Sequence, residues 1–550
     1  MQSPVRFSSC RGVEFEIKPH PDPFAFPAPT KDEQKGSSSF WLSLFQGNSS
    51  RIFPSAVQRS ASRASSHYCD LDFENDHHDE EAISLQILEE GKKEEKELNA
   101  NPLPSASKRE QQPKPARKPQ SRLSIILLDQ GLFTVYKRLF VVSLTLNITF
   151  LVLAATGHFQ YARNRAALFS ICNIFALTLC RSEAFLRVVF WLVVKLLGRS
   201  WIPIPIKTAT TSLLQSLGGI HSSCGISSIA WLIYALVLTL KKRDYTSSEI
   251  IGVACTILAL LCISALAAFP LVRHLHHNVF EGLHRFGGWT ALALVWVFVI
   301  LTVSYDPISK SYSNDFGSRL IKKEEFWFTV ITTFLIVLPW VTVRRVPVKI
   351  YAPSSGHASI IKFQGGVKSG ILGRISPSPL REWHAFGIIS DGKTEHMMLA
   401  GAVGDFTKSL VSNPPSHLWV RQVHFAGLPY LVNMFERVLL VATGSGICVF
   451  LSFLLQPSRA NVCMLWVTKG VDQNFGKEIK EMMSGHPKDK VIIHDTAVLG
   501  RPNVAQMSID AAKKWDAQAV VVTSNPEGSR DVVNACKAAG FPAFGPIWDS

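Results

Sequence analysis

The run Val438-Leu-Leu-Val-Ala-Thr-Gly-Ser-Gly-Ile-Cys-Val-Phe-Leu-Ser-Phe-Leu-Leu455 decides how the last third of this 550-residue chain is read. By hydropathy alone it is a membrane helix, since such a helix needs roughly 20 mostly apolar residues. By local chemistry it is a strand (Val438–Ala442), a tight turn (Thr443-Gly444-Ser445-Gly446) and a helix opening at Ile447. That order lets backbone N–H groups and a helix N-terminus hold a dinucleotide phosphate. The flanks favour the second reading, because Glu436 and Arg437 precede the run and Pro457 and Arg459 follow it.

The neighbouring sequence agrees. Val462–Val467, Val491–His494 and Ala519–Thr523 are further apolar, β-rich runs, and they alternate with amphipathic segments at Gly476–Met483, Ser508–Trp515 and Ser529–Ala539. This pattern predicts a parallel α/β domain over residues 435–550. Ligands on such sheets sit at the carboxyl ends of strands, where the Gly444 turn and Thr523-Ser524-Asn525-Pro526 both emerge. Over residues 346–434 the β-type runs are short (Val348–Tyr351, Ser359–Phe363, Met397–Ala402) and broken by Gly, Pro and Ser, which predicts a small antiparallel β-barrel.

Residues 124–345 read as a multi-pass helical membrane domain. Six spans are expected, at Leu139–Ala155, Arg165–Leu179, Ile220–Leu240, Ile250–Leu271, Trp289–Val303 and Phe326–Val343. Glu183–Leu197 is apolar but short and carries Arg187 and Lys195, so it is expected to lie at the interface with its basic side chains snorkelling. An even number of crossings places both termini on one side. Residues 1–123 are dominated by Ser, Pro and charge, acidic from Asp70 to Glu97 and basic from Lys108 to Arg122, and are expected to be a disordered cytoplasmic tail. The start of the chain lacks the apolar core of a signal peptide. The net charge of +15 does not point to nucleic acid, because the basic residues cluster in the tail and beside apolar segments. The ten cysteines form no CxxC pair, which fits reduced thiols.

Two histidines stand out. His221 opens one span and His284 opens another, and one full span separates them, so their helices run parallel with both rings at one depth. Ionisable residues within a membrane are costly and tend to be functional. Facing imidazoles beside Gly218, Gly219, Gly225, Gly287 and Gly288 are candidate ligands of one haem. The alternative is that both sit at headgroup level, satisfied by water or lipid. Further on, His384-Ala-Phe386-Gly387 is followed by Gly404-Asp405-Phe406-Thr407, then Leu418-Trp419-Val420-Arg421, then Thr443-Gly444-Ser445-Gly446-Ile447.

In that order these motifs resemble a ferredoxin–NADP reductase-type flavin dehydrogenase fused behind a ferric reductase/NADPH oxidase-like membrane domain, as in TmpA-type transmembrane oxidoreductases and related synthetase-like reductases. The resemblance runs from about Arg165 to the C-terminus. It implies that His221 and His284 hold a b-type haem, and that His384, Phe386, Gly387, Gly404 and Thr407 receive FAD. It implies that Thr443, Gly444, Ser445, Gly446 and Ile447, with the turn Gly500-Arg501-Pro502, meet NADPH or NADH, and that Trp548 stacks on a cofactor ring. The implied activity is electron transfer from NAD(P)H through flavin and one haem to a small-molecule acceptor, in a protein embedded in membrane lipid. Thr468-Lys469, after the second strand, leans towards NADPH, although Lys469 reads equally well as a solvated turn residue.

The chain departs from the pattern in two places. The second histidine of each two-haem helix is missing near Tyr234–Ala235 and Val297–Phe298, so at most one haem fits. Gly387 stands where a hydroxyl would bond the flavin ring. These departures keep a second class of function open, a non-catalytic membrane scaffold on a degenerate reductase domain. A transporter would leave the C-terminal region unexplained.

Overall fold

The computed structural model describes residues 134–546, together with 6–8 and 14–16. Arg6–Ser8 and Glu14–Glu16 pair as a short antiparallel ribbon. The rest of the expected tail lies outside the described residues, as does Trp548.

Eight helices build the first part: α1 (Val135–Ala155), α2 (Ala166–Leu179), α3 (Glu183–Leu197), α4 (Ile204–Gln215), α5 (Gly218–Lys241), α6 (Ser248–Ala267), α7 (His277–Ser304) and α8 (Glu324–Val341). Five of them, α1, α5, α6, α7 and α8, are long and apolar enough to cross a membrane. The sixth expected span is the 14-residue α2. At 1.5 Å per residue it covers roughly 21 Å, short of a hydrocarbon core of about 30 Å. It packs between α5 and α8 instead. Arg165, expected inside that span, stands at its end and pairs with Glu324 and, at 2.8 Å, with Glu325. Ile171, Leu232, Leu236, Ala254, Ile257, Val295 and Val299 fill the core between these helices.

Helix α3 departs from a simple interfacial helix. Ser182 caps it by accepting from the Phe185 N–H. Leu186, Val189, Phe190, Val193 and Val194 pack onto the core of the C-terminal region, while Phe185, Val188, Trp191, Leu192 and Leu196 remain exposed. Lys195 sits 5.0 Å over the Trp191 ring, as a snorkelling lysine does. One apolar face thus seats the C-terminal region and the other remains exposed.

The barrel follows directly. Its strands are β1 (Val343–Pro347), β2 (Lys349–Tyr351), β3 (Ala358–Gln364), β4 (Ile371–Ser376), β5 (His384–Ser390), β6 (Glu395–Gly401), β7 (His417–Arg421) and β8 (Phe425–Ala426), with α9 (Asp405–Ser412) between β6 and β7. The sheet order is β1-β7-β4-β5-β6-β3-β2, and β8 pairs with β4. The first and last strands of that path are separated in the chain by Val348 alone, so the sheet curls into a nearly closed barrel.

The second sheet comprises β9 (Arg437–Thr443), β10 (Asn461–Thr468), β11 (Val491–Asp495), β12 (Ala519–Thr523) and β13 (Ala543–Phe544). All pairings are parallel, in the order β11-β10-β9-β12-β13. Leu439 and Val441 face a core completed by α12 (Val504–Lys514) and α13 (Pro526–Ala538). Val438, Leu440 and Ala442 face the other way, towards α11 (Val471–Ser484) and the barrel. Burial on both faces explains why these strands read as unbroken apolar runs. Phe544 is buried in β13 near the Phe435 ring.

The opening run is therefore a strand and turn, but no long helix starts at Ile447. A 3₁₀ segment (Gly444–Val449) leads into a four-residue helix, α10 (Ser452–Leu455). Its residues are apolar on all sides, and they are buried where the barrel meets the sheet.

Candidate functional site

The membrane histidines come together. His221 lies in the first turn of α5, and His284 lies well inside α7, because the loop expected before Trp289 is helical from His277. Their ring centroids are 6.2 Å apart. His221 Nδ1 is 2.9 Å from the Leu177 carbonyl, which leaves Nε2 for other partners. His284 Nδ1 is buried and faces the Ser264 backbone without a hydrogen bond of good geometry. Helix α6 packs against both α5 and α7. A Cβ added to Gly225 or Gly288 would meet nothing within 4 Å. Arg181, just beyond α2, lies close enough for its charge to act on both rings.

The ring spacing is compatible with one metal ion between the two imidazoles. Nitrogens about 2 Å from such an ion, with each ring centre just over 1 Å behind its nitrogen, would put the ring centres about 6 Å apart. A hydrogen bond from the far ring nitrogen to a backbone carbonyl is the usual support for a ligating histidine. Among the described residues, no group of three or more His, Cys, Asp or Glu is arranged to hold a metal ion.

The flavin-type motif also converges. His384, Phe386 and Gly387 lie on β5, and Gly404 and Thr407 stand at the start of α9. The His384 ring stacks on Phe406 at 4.4 Å and 10°, which ties the two parts together. Thr407 Oγ1 accepts from the N–H groups of Val403 (3.1 Å) and Gly404 (3.0 Å) and so caps its own helix. Yet every residue of β5 is buried. A Cβ on Gly387 would lie 2.7 Å from the Val449 backbone, and Ser452 Oγ receives the Ser390 N–H while donating to the Ile388 carbonyl. The 3₁₀ segment and α10 therefore cover the face that a flavin ring would need. The β5 strand does not fit the ring in this arrangement.

The nucleotide turn is closed as well. Gly444 has φ of +51°, a conformation that favours glycine. Its carbonyl accepts from Trp466 Nε1 at 2.8 Å. Ser445, Gly446 and Ile447 are buried with it, and Ser445 Oγ packs against Gly401. The remaining part of the site is the carboxyl edge of the sheet. Chain order reverses between β9 and β12, and there Thr443 Oγ1 meets Ser524 Oγ at 2.7 Å. Such a switch point is where doubly wound sheets bind their ligands. Asn525 caps α13 beside it.

At the end of β10, Thr468 Oγ1 is buried with no hydrogen-bond partner. The neighbouring Asp495 takes the N–H groups of Gly470 (2.8 Å), Val471 (3.1 Å) and Ala497 (2.9 Å). Partial burial opposes its ionisation, but these three donors hold its carboxyl below the usual carboxylate range. Gly500, at φ +71°, accepts from His494 Nε2 at 2.9 Å, and Arg501 and Pro502 continue the loop on this edge. An orphaned hydroxyl, a switch point and a positive-φ glycine turn all lie on this edge. Asp495 was not picked out from sequence, and Thr468 was noted only together with Lys469 at the end of the second strand, because their pairing depends on cross-strand register.

A third cluster joins the membrane helices to the barrel. Glu183 of α3 bonds both Arg374 of β4 and, at 3.4 Å, Arg421 of β7. Arg421 also lies 5.2 Å over Trp340 and 4.8 Å over Trp383, and burial lowers its pKa.

Residues 428–550 match the family model for the C-terminal domain of adenylate-forming reductase 03009. Adenylate-forming reductases 03009 and 06235 of Coprinopsis cinerea are each 34% identical to this chain, over 440 and 433 residues. These alignments take in 79% and 77% of this chain but 42% and 41% of the relatives, so the chain spans about two-fifths of their length. Among solved structures, ferredoxin-NADP+ reductase from Plasmodium falciparum is 11% identical with a TM-score of 0.29, covering 38% of this chain and 96% of its own. The cytochrome b5 reductase domain of Ulva prolifera nitrate reductase is 11% identical with a TM-score of 0.27, covering 37% and 97%. The C-terminal region is thus similar in sequence to the C-terminal domain of a reductase.

Proposed function

We propose that this chain is a membrane-embedded, NAD(P)H-dependent oxidoreductase. The observation that carries the reading is the His221–His284 pair, one ring from α5 and one from α7, with centroids 6.2 Å apart. His221 and His284 would hold a haem, which would supply storage for single electrons. The sheet offers the switch point at Thr443 and Ser524 to a pyridine nucleotide, which carries hydride; passing that two-electron equivalent to a one-electron haem would require a flavin between them. Helix α3 and the Glu183–Arg374–Arg421 cluster fix the reductase-like region against the membrane helices, so donor and acceptor sites keep a set separation. The acceptor is a small molecule reached from the membrane.

A second reading rests on a specific observation, the covered β5 face. A reductase scaffold that binds nucleotide without a flavin would serve regulation rather than turnover. Anaerobic addition of NADH or NADPH to detergent-purified protein supplied with haem and FAD separates the two. Appearance of a reduced-haem spectrum is the outcome expected for the oxidoreductase. Nucleotide binding with no change in the haem bands would replace it with the scaffold.

A further inference from the structure

We propose that Asp495 makes the nucleotide site selective for NADH over NADPH, with Thr468 supplying a hydroxyl to the adenosine ribose. This rests on the reading that a pyridine nucleotide binds the carboxyl edge of the sheet. In doubly wound sheets, the end of the second strand reads that ribose. An acidic residue there bonds the 2′-hydroxyl, whereas a nearby arginine accommodates a 2′-phosphate. The second strand here is β10, and it ends in Thr468 rather than in an acid. The acid comes from the next strand, because Thr468 and Asp495 are register partners in parallel strands and their side chains leave the sheet on one side.

From that position the Asp495 carboxylate reaches across to the turn after β10. One oxygen accepts from Gly470 N–H and Ala497 N–H, and the other from Val471 N–H. Gly470, at φ +57°, and Val471 open a short helical turn that runs only to Phe475, because the backbone breaks at Gly476 (φ +82°). Free backbone N–H groups at such a turn attract anions. Here those groups are already taken by a fixed negative charge, and a 2′-phosphate arriving at this turn meets a carboxylate. A ribose hydroxyl is neutral and donates. A carboxylate has about four lone-pair sites, of which three are used, so one remains for it. Thr468 Oγ1, 95% buried by its 5% exposure and lacking a partner, gives the ribose a second polar contact. Lys469 and Arg501 flank the turn but are exposed, so salt screens their pull on a phosphate.

The test is equilibrium binding of NADH and of NADPH to the full-length, detergent-purified protein, read by nicotinamide fluorescence at one ionic strength. NADH is expected to bind at least about tenfold tighter, a difference of about 1.4 kcal/mol. Asp495→Asn, which retains an oxygen acceptor, is expected to narrow that ratio by tightening NADPH. Thr468→Val is expected to weaken NADH. Equal affinities, or tighter NADPH, in the unaltered protein would overturn the proposal without recourse to any variant. Binding of neither nucleotide would remove the nucleotide site itself, and this inference with it.

Discussion

A methyl group on Gly387 would stand 2.7 Å from the Val449 backbone, in a junction where β5, the 3₁₀ segment and α10 are all buried. The sequence motif invites the substitution Gly387→Ser, which restores the hydroxyl of related flavin strands. The packing predicts the opposite of a gain. Overfilling a closed core costs about 1–3 kcal/mol, so Gly387→Ser is expected to lower the melting temperature and to recruit no flavin absorbance. A variant as stable as the parent that also takes up flavin would show that the junction opens freely. At this scale the meeting of His221 and His284 was legible, since one full span between them sets their helices parallel with both rings at one depth. Asp495 was not, because its meaning depends on Thr468 across the strand and on a turn two residues beyond it. Gly387 was legible as a departure, but the cause of it, a backbone 62 positions further along the chain, was not.

Among the elements, α3 connects the two halves of the molecule. Its first residue, Glu183, is 11% exposed at the side chain and holds Arg421 at 14% and Arg374 at 32%. Removing one member of a buried ion pair leaves uncompensated charge, at a cost of about 3–5 kcal/mol. The partial exposure of Arg374 reduces this, and Glu183→Ala is expected to destabilise by about 2–3 kcal/mol. The measurement is thermal unfolding in detergent, with Glu183→Gln losing less. No loss in Glu183→Ala would mean that the cluster is solvated and does not fix the two halves together. The strands of the parallel sheet were readable from their composition. Strands β4, β8 and β13 were missed, since they are short or contain glycine and draw their order from neighbours. The helix expected at Ile447 became a 3₁₀ segment for a related reason: Ile447-Cys-Val-Phe-Leu has no polar face to turn outward. Buried on all sides, it follows the shape of the junction rather than helical periodicity.

In the whole molecule, five long apolar helices, a nearly closed barrel and a parallel sheet follow one another in the order that the composition changes along the chain imply. The short α2 is the exception, because hydropathy registers apolar residues without registering whether lipid or protein surrounds them. The arrangement puts a pair of histidines at one end of the helical part and a nucleotide-type switch point in the other part, with α3 and the Glu183 cluster between the helices and the barrel. The central claim is that the pair holds one redox group. It is tested most directly by the visible spectrum of the purified full-length protein, recorded beside His221→Ala and His284→Ala. The account predicts a low-spin haem spectrum that either substitution removes while helix content is retained. Folded protein that takes up no haem when supplied with it, or a haem spectrum indifferent to both substitutions, would contradict it.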